Sequence, residues 1–328
     1  MKDNFNIEHK LKNVQNGHFL IQKISQNKSV LEDKNFISNS QGKGMTSIYT
    51  VYPGVDIYVN FFLADKISFS HNPMKNIIQI NHCRSGRLGW KMGNGLSIYM
   101  GGGDLSLHIL DACAESEMNL PLGFYEGISV SIDIDKFSEN IPSILKEAKI
   151  DIEQILYKYC GNGRNIAITR QDKIDYIFSV LYDLPQNLLI PYFKLKVQEL
   201  LLFLSISDFS EEQELNKYHS EQVELIKEIH KQLINNLDKR FTIEELAQQY
   251  LINTSSLKSI FKSVYGLPIA AYMKEYRMKY AAALLRSSVD SIARIAALVG
   301  YKSQSKFTNA FKDIMQISPV EYRKQYRK

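Results

Sequence analysis

The chain has little cysteine, three residues in 328, and that scarcity excludes several classes at once. Cys83, Cys113 and Cys160 are widely spaced and odd in number, so they supply neither a disulfide framework nor a C-x-x-C metal or redox pair. Thiols kept in this way fit a reducing, cytoplasmic setting. Long apolar runs are also missing: nothing approaches the roughly eighteen apolar residues that a membrane-crossing helix needs. The opening MKDNFNIEHK lacks the apolar core of a signal peptide. Acid is scarce in one half only. From Glu221 to the end there are 18 Lys and Arg against 10 Asp and Glu, a net of +8, whereas the preceding residues carry −3. A basic terminal region beside an acidic one points to a partner rich in phosphate.

What is present is ordinary for a globular chain, with 45% hydrophobic and 23% charged residues. The length predicts two or three domains. The basic half is organised around Ser291 to Lys324. Ile292, Ile295, Ala296 and Val299 recur at helical spacing, Gly300 makes a turn, and Phe307 and Phe311 mark one side of a second helix. Asp290 or Ser291 can cap the first helix and Ser303 the second, while Ser318-Pro319-Val320-Glu321 is a capping box opening a third. The exposed positions of the second helix, Lys302 to Lys312, are short polar or basic side chains without an acid, as a helix entering a major groove requires.

The pattern occurs twice. Thr242-Ile-Glu-Glu-Leu-Ala and Ser291-Ile-Ala-Arg-Ile-Ala stand 49 residues apart; Phe261-Lys262 and Tyr272 stand 50 residues from Phe311-Lys312 and Tyr322. Between the copies, Ala271 to Arg286 reads as one strong helix. Two helix-turn-helix units joined by a rigid helix place two recognition helices about 34 Å apart, one turn of DNA.

Residues 222–327 resemble the DNA-binding domain of the AraC/XylS family of transcription regulators. The likeness rests on Ile243-x-x-Leu246-Ala247, Leu257-x-x-x-Phe261-Lys262, Tyr272-x-x-x-Tyr276-Arg277-Met278, Ile292-x-x-Ile295-Ala296-x-x-Val299-Gly300-Tyr301 and Ser318-Pro319-x-x-Tyr322-Arg323. Leu251 and Gln316 depart from it, each standing where glycine is frequent. The resemblance implies base contacts from Ser255, Lys258 and Ser259 with Lys262 near phosphate, and from Gln304, Ser305, Thr308 and Asn309 with Lys306 and Lys312 nearer the backbone. It further implies a regulator that acts as a homodimer on double-stranded promoter DNA, with RNA polymerase as a partner if it is an activator.

The acidic half reads differently along its length. Residues 1 to about 40 are polar and form a loosely held arm. Residues 44–134 alternate in short β-branched and aromatic runs punctuated by Gly, Asn and Pro, which predicts a barrel or sandwich. They are similar to the cupin-like effector domain of AraC relatives; Ser85-Gly-Arg-Leu-Gly-Trp90 and Pro121-Leu-Gly-Phe-Tyr resemble the siderophore-responsive branch. Helices follow over Phe137–Lys149, Ile152–Cys160, Asp172–Leu184 and Pro191–Ser207. In the last, Leu195, Leu201, Leu202 and Leu204 exceed one core face, so residues 135–207 are read as a dimerisation segment. Residues 208–220 read as a linker before the DNA-binding domain at 221–328. The expected class is α+β: an N-terminal cupin-like β-barrel, a helical segment and an all-α C-terminal domain.

Catalytic chemistry finds no constellation. His71, His82 and His108 are single, and no His-x-His exists to start a cupin metal site. Ser255-x-x-Lys258 has the spacing of an acylating hydrolase but lies within a recognition helix. The sequence therefore predicts neither enzyme, cofactor nor metal. The β-domain is read as a container for an unknown small-molecule effector, with Trp90 and Arg87 as the candidate ligand residues among Tyr49, Tyr58, Phe61 and Tyr99. Two alternatives stay open: a cupin-type metal enzyme with a DNA-binding tail, and a regulator without an effector, governed by a protein partner.

Overall fold

The computed structural model describes residues 7–25, 28–30, 36–37, 42–70, 76–92, 95–110, 115–161, 165–210 and 213–327. His71 and Cys113 lie outside them. The chain divides into two compact units, Met1–Lys217 and Tyr218–Lys328.

The first unit is a two-sheet sandwich with helices on one side. Its strands are β1 (His18–Ser25), β2 (Lys28–Val30), β3 (Phe36–Ile37), β4 (Gly42–Tyr52), β5 (Val55–Ala64), β6 (Lys66–Ser70), β7 (Ile77–Gly86), β8 (Leu88–Lys91), β9 (Leu96–Met100), β10 (Leu105–Ile109), β11 (Glu115–Asn119), β12 (Phe124–Asp133) and β13 (Ile166–Ile168). The large sheet runs β13-β10-β7-β12-β5-β4-β1-β2, with β3 on β1; the small one runs β9-β8-β11-β6. Among the described residues the large sheet is an open path with β13 and β2 at its two ends, so the strands expected to form a barrel form an open sandwich here.

Alternation along the central strands sends residues to two different interiors. Ile57, Ile80, Leu107, Ile128 and Val130 face the helices, among them Phe137, Ile155, Ile174, Phe193 and Leu200. Phe62, Cys83, Tyr125 and Ala167 face Leu88, Trp90, Ile98 and Met100 of the small sheet. The helices are α1 (Ile134–Glu139), α2 (Ser143–Glu147), α3 (Ile152–Cys160), α4 (Asp172–Phe178) and α5 (Leu189–Ile206). The single helix expected over Phe137–Lys149 is two, because Pro142 cannot continue the first and disfavours a helical Ile141. The helix from Asp172 tightens into a 3-10 turn over Ser179–Tyr182. By contrast, Pro191 sits within the first turn of α5, where its missing N–H has no partner to lose. Leu201 and Leu204 are buried within the chain's own core, whereas Leu195 is 58% exposed.

The second unit is entirely helical after a two-residue strand, with α6 (Ser220–Asn235), α7 (Ile243–Gln249), α8 (Thr254–Tyr265), α9 (Ile269–Ser287), α10 (Ile292–Leu298), α11 (Gln304–Met315) and α12 (Pro319–Tyr326). The helix pairs α7–α8 and α10–α11 repeat one another down to their caps. Thr242 and Ser291 cap the first members, accepting from Glu245 N and Arg294 N; Asn253 and Ser303 cap the second, accepting from Ser256 N and Lys306 N. Backbone bonds from Ile252 N to Ala247 O and from Tyr301 N to Ala296 O close the two turns, at 3.1 and 2.9 Å. Phe261 meets Tyr272 edge-on at 5.6 Å, and Phe311 meets Tyr322 edge-on at 5.4 Å.

The repeat also explains the two departures from glycine. Leu251 has φ +52° where the second copy has Gly300 at φ +78°, and Gln316 has φ +64° where the first has Gly266 at φ +84°. Each copy thus keeps a left-handed residue at the same two places, and each spends one non-glycine there.

Candidate nucleic-acid interface

Helix α8 buries Leu257, Ile260, Phe261, Val264 and Tyr265 and turns the opposite side outward. At 100° per residue, Ser255, Lys258, Ser259 and Lys262 fall within an arc of about 100°, and all four are exposed. Helix α11 buries Phe307, Ala310 and Phe311. Gln304, Ser305, Thr308, Asn309 and Lys312 then share an arc of about 140°, with Lys306 about 60° beyond its edge. Thr308 is half-buried and the others are exposed. Neither arc carries an acid. Asp313, just past Lys312, is exposed and lies 3.2 Å from Lys274 Nζ of α9.

The two faces are held to one scaffold. Helix α9 contributes Met278, Ala281, Ala282 and Leu285 to the core of the second pair, while its Met273 is buried towards its start. Arg277 is 5% exposed; its Nε donates to Leu237 O at 3.0 Å and a terminal nitrogen to Lys239 O at 2.8 Å. That ties the loop after α6 to α9. From the same loop Arg240 donates to Gly300 O at 3.2 Å and stacks over Tyr301 at 5.2 Å. Gly300 lies so close to Leu237 O that a Cβ there would stand 2.4 Å from it. His230 closes the first core: its ring stacks on Tyr265 at 4.1 Å and its Nε2 lies 2.9 Å from Tyr272 Oη. Burial lowers its pKa to about 4, so the ring is neutral near pH 7.

Two hydroxyls on the exposed face of α8 already have partners. Ser255 Oγ donates to its cap Asn253 at 2.7 Å, and Ser259 Oγ lies 3.0 Å from Tyr218 Oη. Tyr218, Arg277 and His230 were not singled out as site residues from sequence. Arg277 at an otherwise apolar helix position was the available signal; Tyr218 had none, being 41 residues from its partner.

In the first unit the candidate effector residues are dispersed. Trp90 is 9% exposed in the inter-sheet core, its ring 6.4 Å from that of His108. Arg87 is half-buried with its guanidinium against Gly101 and Asp104 as an acidic neighbour. Tyr49 meets Phe193 on the helix side at 5.2 Å, and Phe61 lies under Ile7, Leu11 and Val14. What the sequence analysis missed is a polar row on the inter-sheet face. Register aligns Thr46 with Asn60, Ser129 with Asn81, and Asn81 with Ser106. Thr46 Oγ1 donates to Asn60 Oδ1 at 2.9 Å, Asn60 Nδ2 to Ser129 Oγ at 3.2 Å, and Asn81 Nδ2 to Ser106 Oγ at 3.2 Å. A second row places Ser131 opposite Gln79 and Gln79 opposite His108. Alternating polar positions read as solvent-facing from sequence, but Asn60, Ser106, Ser129 and Ser131 are all buried.

A cleft of about 450 Å³ opens elsewhere, beside His82, Arg84, Arg170, Asp175 and Tyr182; neither Arg87 nor Trp90 lines it. Among the described residues no group of three or more His, Cys, Asp or Glu side chains could hold a metal ion, and no helix is long and apolar enough to cross a membrane.

Comparison with known proteins gives the class of the second unit directly: residues 246–325 match the family model described as a helix-turn-helix domain. Over 117 residues the chain is 29% identical to the HTH-type transcriptional activator RhaR of Mannheimia succiniciproducens, covering 36% of this chain and 42% of that one. Over 88 residues it is 36% identical to the HTH-type transcriptional regulator AlkR of Acinetobacter baylyi, covering 27% and 29%. Among solved structures, the C-terminal domain of AraT, a response regulator from Geobacillus stearothermophilus, is 28% identical, covering 32% of this chain and 87% of that one at a TM-score of 0.31. In this domain the chain is similar to HTH-type transcription regulators, the likeness covering about a third of the chain or less. It spans less than half the length of these curated relatives.

Proposed function

We propose that the protein is a sequence-specific transcription regulator that reads two successive major-groove segments of promoter DNA with α8 and α11, as two helix-turn-helix units. The observation that carries this reading is the pair of exposed, acid-free faces, Ser255/Lys258/Ser259/Lys262 and Gln304/Ser305/Thr308/Asn309/Lys312, on two equivalent helix pairs around α9. Gln304 and Asn309 have the side-chain amides that pair bidentately with adenine. Lys262, Lys306 and Lys312 supply phosphate contacts, and the +8 charge of the region supplies the counterion-release term. Selection from a randomised duplex library by the full-length protein tests it. The expected product is a motif in two blocks about one helical turn apart; enrichment without any motif would overturn it.

The first unit is proposed to be the regulated part: a cupin-like sandwich whose inter-sheet face takes a small effector, with Trp90 and Arg87 as its candidate ligand residues. What supports this is the polar row Thr46–Asn60–Ser129–Asn81–Ser106, buried at Asn60, Ser129 and Ser106 and half-buried at the other two, since hydrogen-bonding side chains are seldom placed inside a sandwich that needs only a core. Dimerisation through the helical layer, where Leu195 and Ile206 are exposed, contact with RNA polymerase in an activating role, and a cytoplasmic location complete the proposal.

A further inference from the structure

One side chain on the reading face of α8 is held from outside either helix pair. Tyr218 stands at the start of the second unit, in the segment that leads into α6. Its phenol oxygen lies 3.0 Å from Ser259 Oγ. Ser259 is exposed and shares its arc with Ser255, Lys258 and Lys262. A free serine hydroxyl rotates, donates and accepts, and therefore discriminates poorly among base edges. A partner that takes one of those roles changes this. Between a phenol and an aliphatic alcohol the phenol is the more acidic and the stronger donor, so the favoured arrangement has Tyr218 O–H donating and Ser259 Oγ accepting. The Ser259 proton then points elsewhere, and the bond it accepts polarises the one it gives.

We propose that Tyr218 is a specificity-determining residue, committing the Ser259 hydroxyl to act as a hydrogen-bond donor towards DNA. In the major groove, guanine offers O6 and N7, adenine N7 and thymine O4 as acceptors, while cytosine offers only its N4 amino donor. The base facing Ser259 is therefore preferentially one with an acceptor edge, and cytosine, which can be met only through the remaining lone pair of Oγ, is disfavoured. Tyr218 acts through Ser259 and is a positioning residue. The inference rests on α8 being a DNA-reading helix, as proposed above.

The test uses the full-length protein and its selected duplex, varied one base pair at a time, with wild type, Tyr218→Phe, Ser259→Ala and the double variant. Wild type is expected to disfavour cytosine at one base pair of the α8 block by about two- to tenfold, the range of one net hydrogen bond. Tyr218→Phe and Ser259→Ala each level the preference at that pair alone, the double variant adds nothing, and the salt dependence stays unchanged. Tyr218→Phe that keeps the cytosine rejection overturns the proposal. So does a uniform loss with a shallower salt slope, which would make Tyr218 a phosphate contact, or uniformly tighter binding, which would make it a cover over Ser259. A wild-type protein with no sequence preference anywhere would instead refute the DNA reading itself, and this inference with it.

Discussion

Arg277→Met should destabilise the second unit by about 2 kcal/mol. Arg277 is nearly inaccessible and serves two carbonyls, Leu237 O at 3.0 Å and Lys239 O at 2.8 Å. A buried acceptor left without a donor costs about 1–3 kcal/mol. Leu237 O bears most of that, because Leu237 is buried and Gly300 packs against its carbonyl. Lys239 is exposed, so its carbonyl recovers a bond from solvent. Methionine keeps much of the buried stem and removes the desolvation of a guanidinium, whose pKa burial already lowers; this offsets part of the loss. Arg277→Lys, able to serve one carbonyl, should fall between. The single tryptophan, Trp90, lies in the first unit, so the assay is urea unfolding followed by far-ultraviolet circular dichroism, which weighs the helical unit. An unchanged midpoint for Arg277→Met would refute the reasoning, since the clamp would then be decoration on a loop held by other contacts.

The two turns respond in opposite directions. Leu251→Gly relieves a left-handed leucine that is 94% exposed and should stabilise by roughly 0.5–1 kcal/mol, whereas Gly300→Ala meets Leu237 O and should destabilise by more than about 1 kcal/mol; thermal melts of the two variants check both signs. Gln304→Ala or Asn309→Ala should weaken specific binding by about 1–3 kcal/mol, and Lys312→Ala should weaken all sequences and lower the salt slope by about one, both read by titration at several salt concentrations. Stability should also fall on acidification. Burial holds His230 at about 4 against about 6.5 in the unfolded chain. Between those values the unfolded chain binds a proton that the folded ring refuses, so the contribution is complete above about pH 6.5 and is lost as pH falls towards about 4, by at most about 3 kcal/mol. Unfolding midpoints across that window measure it, and His230→Phe should flatten this part of the profile.

The repeat in the basic half was legible because its determinants are local. Thr242, Asn253, Ser291, Ser303 and Ser318 cap helices through bonds three residues away, and a cap of this kind does not depend on the rest of the fold. The outward faces followed from the same periodicity. Where Pro142 divides α1 from α2, the helical spacing of apolar residues outweighed a breaker that should have been decisive. Strands β4 to β10 and β12 were legible one by one, but β1 lay in a stretch read as a loosely held arm, β13 in one read as helical, and β11 was not read; whether the sheet closes was not legible either, being a property of register and twist across the whole sheet. The polar row escaped for a related reason. Ser129 and Ser131 alternate with Ile128, Val130 and Ile132 as they would on a solvated strand, and only the presence of the small sheet above them makes them interior. Tyr218 and Arg277 act across 41 and 38 to 40 residues, distances at which a single sequence carries no pairing signal.

The most direct test of the central claim is footprinting of the full-length protein on the intergenic DNA upstream of its own coding sequence, at two salt concentrations. Two protected half-sites, each covering two successive major-groove segments and persisting at the higher salt, are the predicted result. Diffuse protection that disappears with salt, alike on that DNA and on random sequence, would contradict it, leaving the charge of the basic half without the base reading assigned to α8 and α11.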